Sequence, residues 1–151
     1  MTFRSLSRTA ALFLMLSGPA LAAGSDTGAS SAATQPGYAE ARAAIDAGQY
    51  AAALKILAPV VKAEPKNADA WNLMGFASRK LKNFTEAARY YDIALRTDPR
   101  HVGALEYQGE LFVETGAYDK ARQNLKLLRS ICGTCAEAVD LQAKLAAAGQ
   151  G

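Results

Sequence analysis

The chain has 151 residues, half of them apolar, and a formal net charge of +3. Its 33 Ala and 17 Leu stand against only 5 Val and 4 Ile. Helix formers so outnumber β-branched residues that one all-helical domain is expected, and sheets, barrels and wholesale disorder are excluded. So small a charge also argues against nucleic acid as a partner.

Residues 1–22 read as a signal peptide. Arg4 and Arg8 supply the positive start, Thr9 to Leu16 a short apolar core, and Ser17-Gly18-Pro19 a break. Ala20-Leu21-Ala22 then makes an A-x-A cleavage site. The apolar run is shorter than the roughly 20 residues a membrane-spanning helix needs. No Cys follows it, so a lipid anchor is not expected. Cleavage leaves 15 basic and 14 acidic side chains, a net charge of +1. The expected location is periplasmic or secreted, with no integral membrane segment in the mature chain. Residues 23–36 are rich in Ser, Ala and Gly and read as a flexible linker.

Beyond the linker, one spacing recurs. Ala53, Ala87 and Ala121 are 34 apart, as are the aromatic Tyr50, Phe84 and Tyr118. Trp71 and Leu105, Gly75 and Gly109, and Pro65 and Pro99 repeat at the same interval. Leu57, Tyr91 and Leu125 are apolar in register.

This pattern resembles the tetratricopeptide repeat (TPR) family, whose signature is W-x2-L-G-x2-Y, then A-x3-F, then a late Pro. The middle copy fits best, with Trp71, Met74, Gly75, Ala87, Tyr91, Ala94 and Pro99. The third copy has Gly133 in place of the Pro, and the first has Gly37 in place of the Trp. The resemblance implies an α-solenoid of about three antiparallel helix pairs plus a C-terminal capping helix. The TPR domain is expected over 37–148, with repeats at about 34–67, 68–101 and 102–135.

Helices are expected at about 37–47, 51–63, 68–81, 85–97, 102–115, 119–131 and 135–148. Gly75 or Gly109 on a first helix and Ala87 or Ala121 on the second should let the two approach closely. Trp71, Tyr91, Phe112 and Leu125 should fill the gaps between repeats. Gly48 and Gly116 suit left-handed helix ends. Asn83 with Glu86, and Thr134 with Glu137, have the spacing of capping boxes. Val139, Leu141, Leu145 and Ala146 are the expected apolar face of the capping helix.

Cys132-Gly133-Thr134-Cys135 is the motif with chemistry of its own. Exported chains meet oxidising conditions, so a Cys132–Cys135 disulfide clipping the cap to the last repeat is the leading reading. The alternative is a thiol–disulfide redox role, which a helix N-terminus would favour. No βαβ pattern surrounds the pair, as a redox fold would require. His101, the sole His, is expected to be solvated or a cap. With one His and no phosphate-binding Gly loop, no catalysis, metal or cofactor is expected. Glu106, Glu110 and Glu114 read as a solvated acidic stripe. Lys55, Lys62, Lys66, Arg89, Arg96 and Arg100 recur on the second helices as a solvated basic face.

The resemblance also implies a concave groove lined by the first helix of each pair. It would present Tyr38, Arg42, Asn72, Phe76, Arg79, Glu106, Tyr107 and Glu110. Aromatic and Arg side chains there are natural anchors for a protein or peptide partner. Some family members clamp C-terminal carboxylates with Lys, Asn and Arg. The matching positions are Tyr38, Arg42, Leu73, Gly103 and Tyr107, of which four do not fit, so chaperone tails are not expected. The expected function is a non-catalytic adaptor of the cell envelope.

Overall fold

A computed structural model describes residues 37–150, so the expected signal peptide and the whole of the expected linker lie outside the described residues. Among those residues the chain forms α1 (Tyr38–Asp46), α2 (Tyr50–Ala63), α3 (Ala68–Lys80), α4 (Phe84–Thr97), α5 (Val102–Glu114), α6 (Tyr118–Cys132) and α7 (Ala136–Ala147), with no strand. The second helices begin at Tyr50, Phe84 and Tyr118, and α3, α5 and α7 begin at Ala68, Val102 and Ala136, each 34 residues after the last. Each helix packs on the next, and α1, α3, α5 and α7 also touch in succession. The result is an all-α solenoid in which α7 holds the first-helix register of a fourth pair.

Both turn types repeat because their end chemistry repeats. Within each pair the first helix closes on a left-handed residue: Gly48 (φ 72°), Lys82 (φ 65°) and Gly116 (φ 74°). The next N–H reaches back to the helix in the same way each time, Gln49 to Ala44, Asn83 to Ser78 and Ala117 to Phe112. This is the paired hydrogen-bond closure that caps orphan carbonyls. Between pairs, Glu64 (φ −130°) and Asp98 (φ −134°) leave helical geometry because Pro follows them.

Ala53, Ala87 and Ala121 have no exposed surface, which explains their 34-residue series. Gly75 serves its own pair: a Cβ there would lie 2.4 Å from Cε1 of the buried Tyr91 ring. Gly109 differs from expectation. Its would-be Cβ meets Leu141 of α7 at 2.5 Å, so it admits the following helix rather than its own partner.

Four further expectations are corrected. Asn83 makes no side-chain cap, and Glu86, the other half of the box, turns outward to Arg89 at 2.6 Å. Thr134 is not the cap of α7: Cys135 holds that position, one residue later, and no side chain caps it. The buried face of α7 is Ala138, Leu141 and Leu145, and Ala146 is exposed. Val139 is 54% exposed, since it sits in the register of Trp71 and Leu105 without a described second helix to cover it. Trp71 and Phe112 are also only half-buried; Trp71 stacks on Tyr90 at 5.8 Å and donates from Nε1 to the Pro65 carbonyl.

Candidate functional site

The solenoid register brings equivalent positions of the first helices onto one surface. Tyr38, Asn72 and Glu106 form one series of 34, and Arg42, Phe76 and Glu110 another. Six of the eight expected groove residues, Tyr38, Arg42, Asn72, Phe76, Glu106 and Tyr107, line a single cleft of about 380 Å³. Its walls also include Asp46, Leu73, His101 and, in a third register series, Asp69, Gly103 and Glu137. Extending the 34-residue spacing by one more position would have found that last series.

Arg79 and Glu110 are not cleft-lining residues. Arg79 is 5% exposed and makes 2.5 Å ion pairs with both Glu110 and Glu114. Lys144 lies 3.5 Å from Glu110, and Lys82 lies 3.1 Å from Glu114. Burial works against the Arg79 charge, but Tyr91, Glu110 and Glu114 outweigh it and its pKa is raised. Burial alone would raise the Glu114 carboxyl, yet Lys82 and Arg79 hold it below the usual range. The solvated acidic stripe is therefore corrected: Glu110 and Glu114 neutralise a buried guanidinium from the neighbouring repeat. The inner layer packs α5 against α3 and α7, which buries Glu110, while Glu114 stays at the exposed edge of the cluster.

Three rings border this cluster. Phe76 lies between Tyr50 and Tyr107, at centroid distances of 6.2 and 4.9 Å. The Arg79 guanidinium sits 5.5 Å from the Phe76 ring and 5.8 Å from the Tyr107 ring, within cation–π range. Phe76 is half-buried and so serves both packing and the cleft wall.

Glu106 stands apart from its two stripe neighbours. It is 8% exposed, and neither a hydrogen bond nor an ion pair engages its carboxyl among the described residues. Burial, with Glu110, Asp140 and Glu137 nearby, pushes its pKa up to about 7. Asn72 is 7% exposed, and its Oδ1 is buried without a hydrogen-bond partner.

His101 takes the capping role expected of it. Its Nδ1 accepts from the Ala104 N–H at 3.1 Å, so Nε2 is the nitrogen that donates to Asp69, also at 3.1 Å. It stands between the cleft and a larger hollow of about 760 Å³ formed by the two proline turns. None of the eight expected groove residues lines that hollow. Lys55, Lys62, Lys66, Arg89, Arg96 and Arg100 are all exposed.

The Cys132 and Cys135 sulfurs lie 2.06 Å apart, with Cα atoms at 5.6 Å. The pair occupies the register of Glu64 and Asn67 in the first inter-pair turn, where Asn67 Nδ2 donates to Glu64 at 3.1 Å. No group of three His, Cys, Asp or Glu suited to a metal occurs among the described residues. No described helix is long and apolar enough to cross a membrane.

The tetratricopeptide repeat model matches residues 38–88 and 77–130. No curated protein matches the chain. Among solved structures, the TPR2B domain of yeast Sti1 in its pHsp70 complex is similar, with a TM-score of 0.69 and 20% identity over 76% of this chain and 94% of that one. PcrH, solved with the chaperone binding region of PopD, has a TM-score of 0.67 and 20% identity over 75% and 88%. The first TPR of Spaghetti (RPAP3), bound to the HSP90 peptide SRMEEVD, has 0.66 and 17% over 74% and 89%.

Proposed function

The chain belongs to the tetratricopeptide repeat family, and from that premise we propose that it is a non-catalytic adaptor that docks a peptide or protein in its concave cleft. The observation that carries this reading is the cleft itself. First helices of three successive pairs contribute side chains to one concavity, and three of those side chains are the aromatic Tyr38, Phe76 and Tyr107. Amphipathic rings and Arg are the side chains that dominate interface energetics. The similar structures were solved with a pHsp70 partner, a region of PopD and an HSP90 peptide, which supports the same mode of work here.

The reading includes export. Residues 1–22 would be removed as a signal peptide, 23–36 would tether the solenoid, and 37–148 would act in the periplasm or outside the cell. Cys132 and Cys135 would form a structural clip in that compartment. The register supports this part: the pair sits where another turn uses a side-chain hydrogen bond, and where Gly133 replaces the stiff Pro.

The test is capture from an envelope extract with the purified chain. Phe76→Ala and Tyr38→Ala, each checked for helicity, should lose the partner. Arg79→Ala is unsuitable as a surface probe because Arg79 is buried between two carboxylates. Unchanged capture by both variants contradicts the cleft.

A further inference from the structure

The cleft is built for one sign of charge. Four carboxylates line it, those of Asp46, Asp69, Glu106 and Glu137, against the guanidinium of Arg42 and the His101 ring. Arg42 lies 3.7 Å from Asp46, and His101 is hydrogen-bonded to Asp69. That leaves Glu106 and Glu137 without an ion pair among the described residues.

Glu106 is the informative group. The residue as a whole is more than nine-tenths buried, with its carboxyl at the cleft wall, and a charge placed so normally has a partner because leaving it unpaired is costly. Glu110 and Glu114 on the same helix face obtain theirs from Arg79, Lys82 and Lys144. Glu106 obtains none, although it lies at the wall of an open cleft. Asn72, one repeat earlier in the same register, has its Oδ1 buried without a hydrogen-bond partner. A carboxylate without an ion pair beside a buried, unsatisfied amide oxygen at one cleft suits a donor carrying positive charge.

The walls suit an organic cation rather than a metal ion. Mg²⁺ and Ca²⁺ take about six or more oxygen ligands, and no group suited to holding a metal ion occurs among the described residues. The Phe76 and Tyr107 rings flank the site and already hold the Arg79 guanidinium from the buried side. Aromatic faces attract ammonium and guanidinium groups, more strongly where water is excluded.

We propose that the cleft receives a Lys or Arg side chain of a partner polypeptide, with Glu106 as its counter-ion and Asn72 as a second acceptor. This rests on the cleft being the docking surface and adds the chemistry of what docks. It sets the protein apart from a site for an acidic segment such as SRMEEVD, the peptide bound to the first TPR of Spaghetti. Burial first, then Glu110, Asp140 and Glu137, raise the Glu106 carboxyl and Arg79 lowers it, so a bound cation stabilises the ionised form.

The experiment is fluorescence anisotropy of the purified full-length chain with three labelled peptides. They share one Leu-, Tyr- and Gly-containing sequence and carry Lys, Gln or Glu at two fixed positions. The Lys peptide should bind about tenfold more tightly than the Gln peptide, with the Glu peptide weakest. Its affinity should rise between pH 6 and 8 as Glu106, near 7, ionises. Glu106→Gln should erase most of the Lys preference. Glu137→Gln, closer to the rim, should reduce the preference less and guards against a folding defect in the first variant. A Lys preference that survives Glu106→Gln in a folded protein overturns the proposal. So does equal or better binding of the Gln or Glu peptide; if Phe76→Ala then abolishes that binding, the docking cleft stands without the cation. Binding of none of the three also overturns the cationic assignment, and the docking cleft is then judged separately by the extract capture.

Discussion

Arg79 of α3 and Glu110 of α5, 31 positions apart in the chain, face each other at 2.5 Å with side chains only 6% and 11% exposed. The pair joins two successive repeats beneath the cleft floor. Glu114 adds a second carboxylate to the same guanidinium. Replacing the pair by apolar residues of like volume need cost little, but removing one member leaves an uncompensated buried charge.

Arg79→Ala should therefore destabilise the fold by about 3–5 kcal/mol, read from urea denaturation. The double variant Arg79→Met with Glu110→Leu should recover most of that loss. Equal stability of Arg79→Ala and the wild type would show that the cluster contributes nothing.

Gly75 is tied to Tyr91 by space rather than by conformation. A methyl at Gly75 would press on the edge of a fully buried ring. Gly75→Ala should cost about 2–3 kcal/mol through overpacking. Gly48→Ala, with φ 72° and nothing within 4 Å, should cost only about 1 kcal/mol from backbone strain. Thermal melting of the two variants orders them directly.

Glu106 makes stability depend on pH in a definite direction. Its folded pKa of about 7 lies above the ordinary carboxyl value of 4.5. Between those values the native state binds the extra proton, so stability falls as pH rises through that window. Glu106→Gln should match the wild type near pH 4 and exceed it at pH 8. The excess should be on the order of 1–2 kcal/mol, since the cleft admits solvent and screens the charge. A pH-independent difference in denaturation midpoint contradicts this.

The 34-residue spacing made the solenoid legible before any coordinates. Ala53, Ala87 and Ala121 mark contacts that recur once per repeat, and the same register explains Lys82. It takes the left-handed turn that Gly48 and Gly116 take, because its backbone closure is identical to theirs. Six cleft residues were legible for the same reason. The Arg79 cluster was not, because it depends on which face of α5 meets α3, and a four-residue Glu spacing looks the same on a wet helix as on a buried one. The two misassigned capping boxes are of this kind too. The motif spacing was present, but Glu86 found Arg89 three residues on, and α7 started one residue later than Thr134 requires.

The proposed Cys132–Cys135 clip predicts a local effect. Replacing both residues by Ser should leave the chain folded and lower stability by no more than about 2 kcal/mol, given so small a loop. Amide exchange should accelerate in α7, most at its first turn, and little in α1 to α4. A redox role would appear instead as catalysis of disulfide reduction in a test substrate, lost in the same variant.

The central claim is that the concave cleft, and not the basic outer face, holds the partner. Site-specific photo-crosslinking in the native cell tests it most directly. A photoreactive residue replacing Arg42, exposed at the cleft, should capture a discrete partner, and one replacing Lys55 on the outer helix α2 should not. Capture from Lys55 alone, or equally from both positions, would contradict the account.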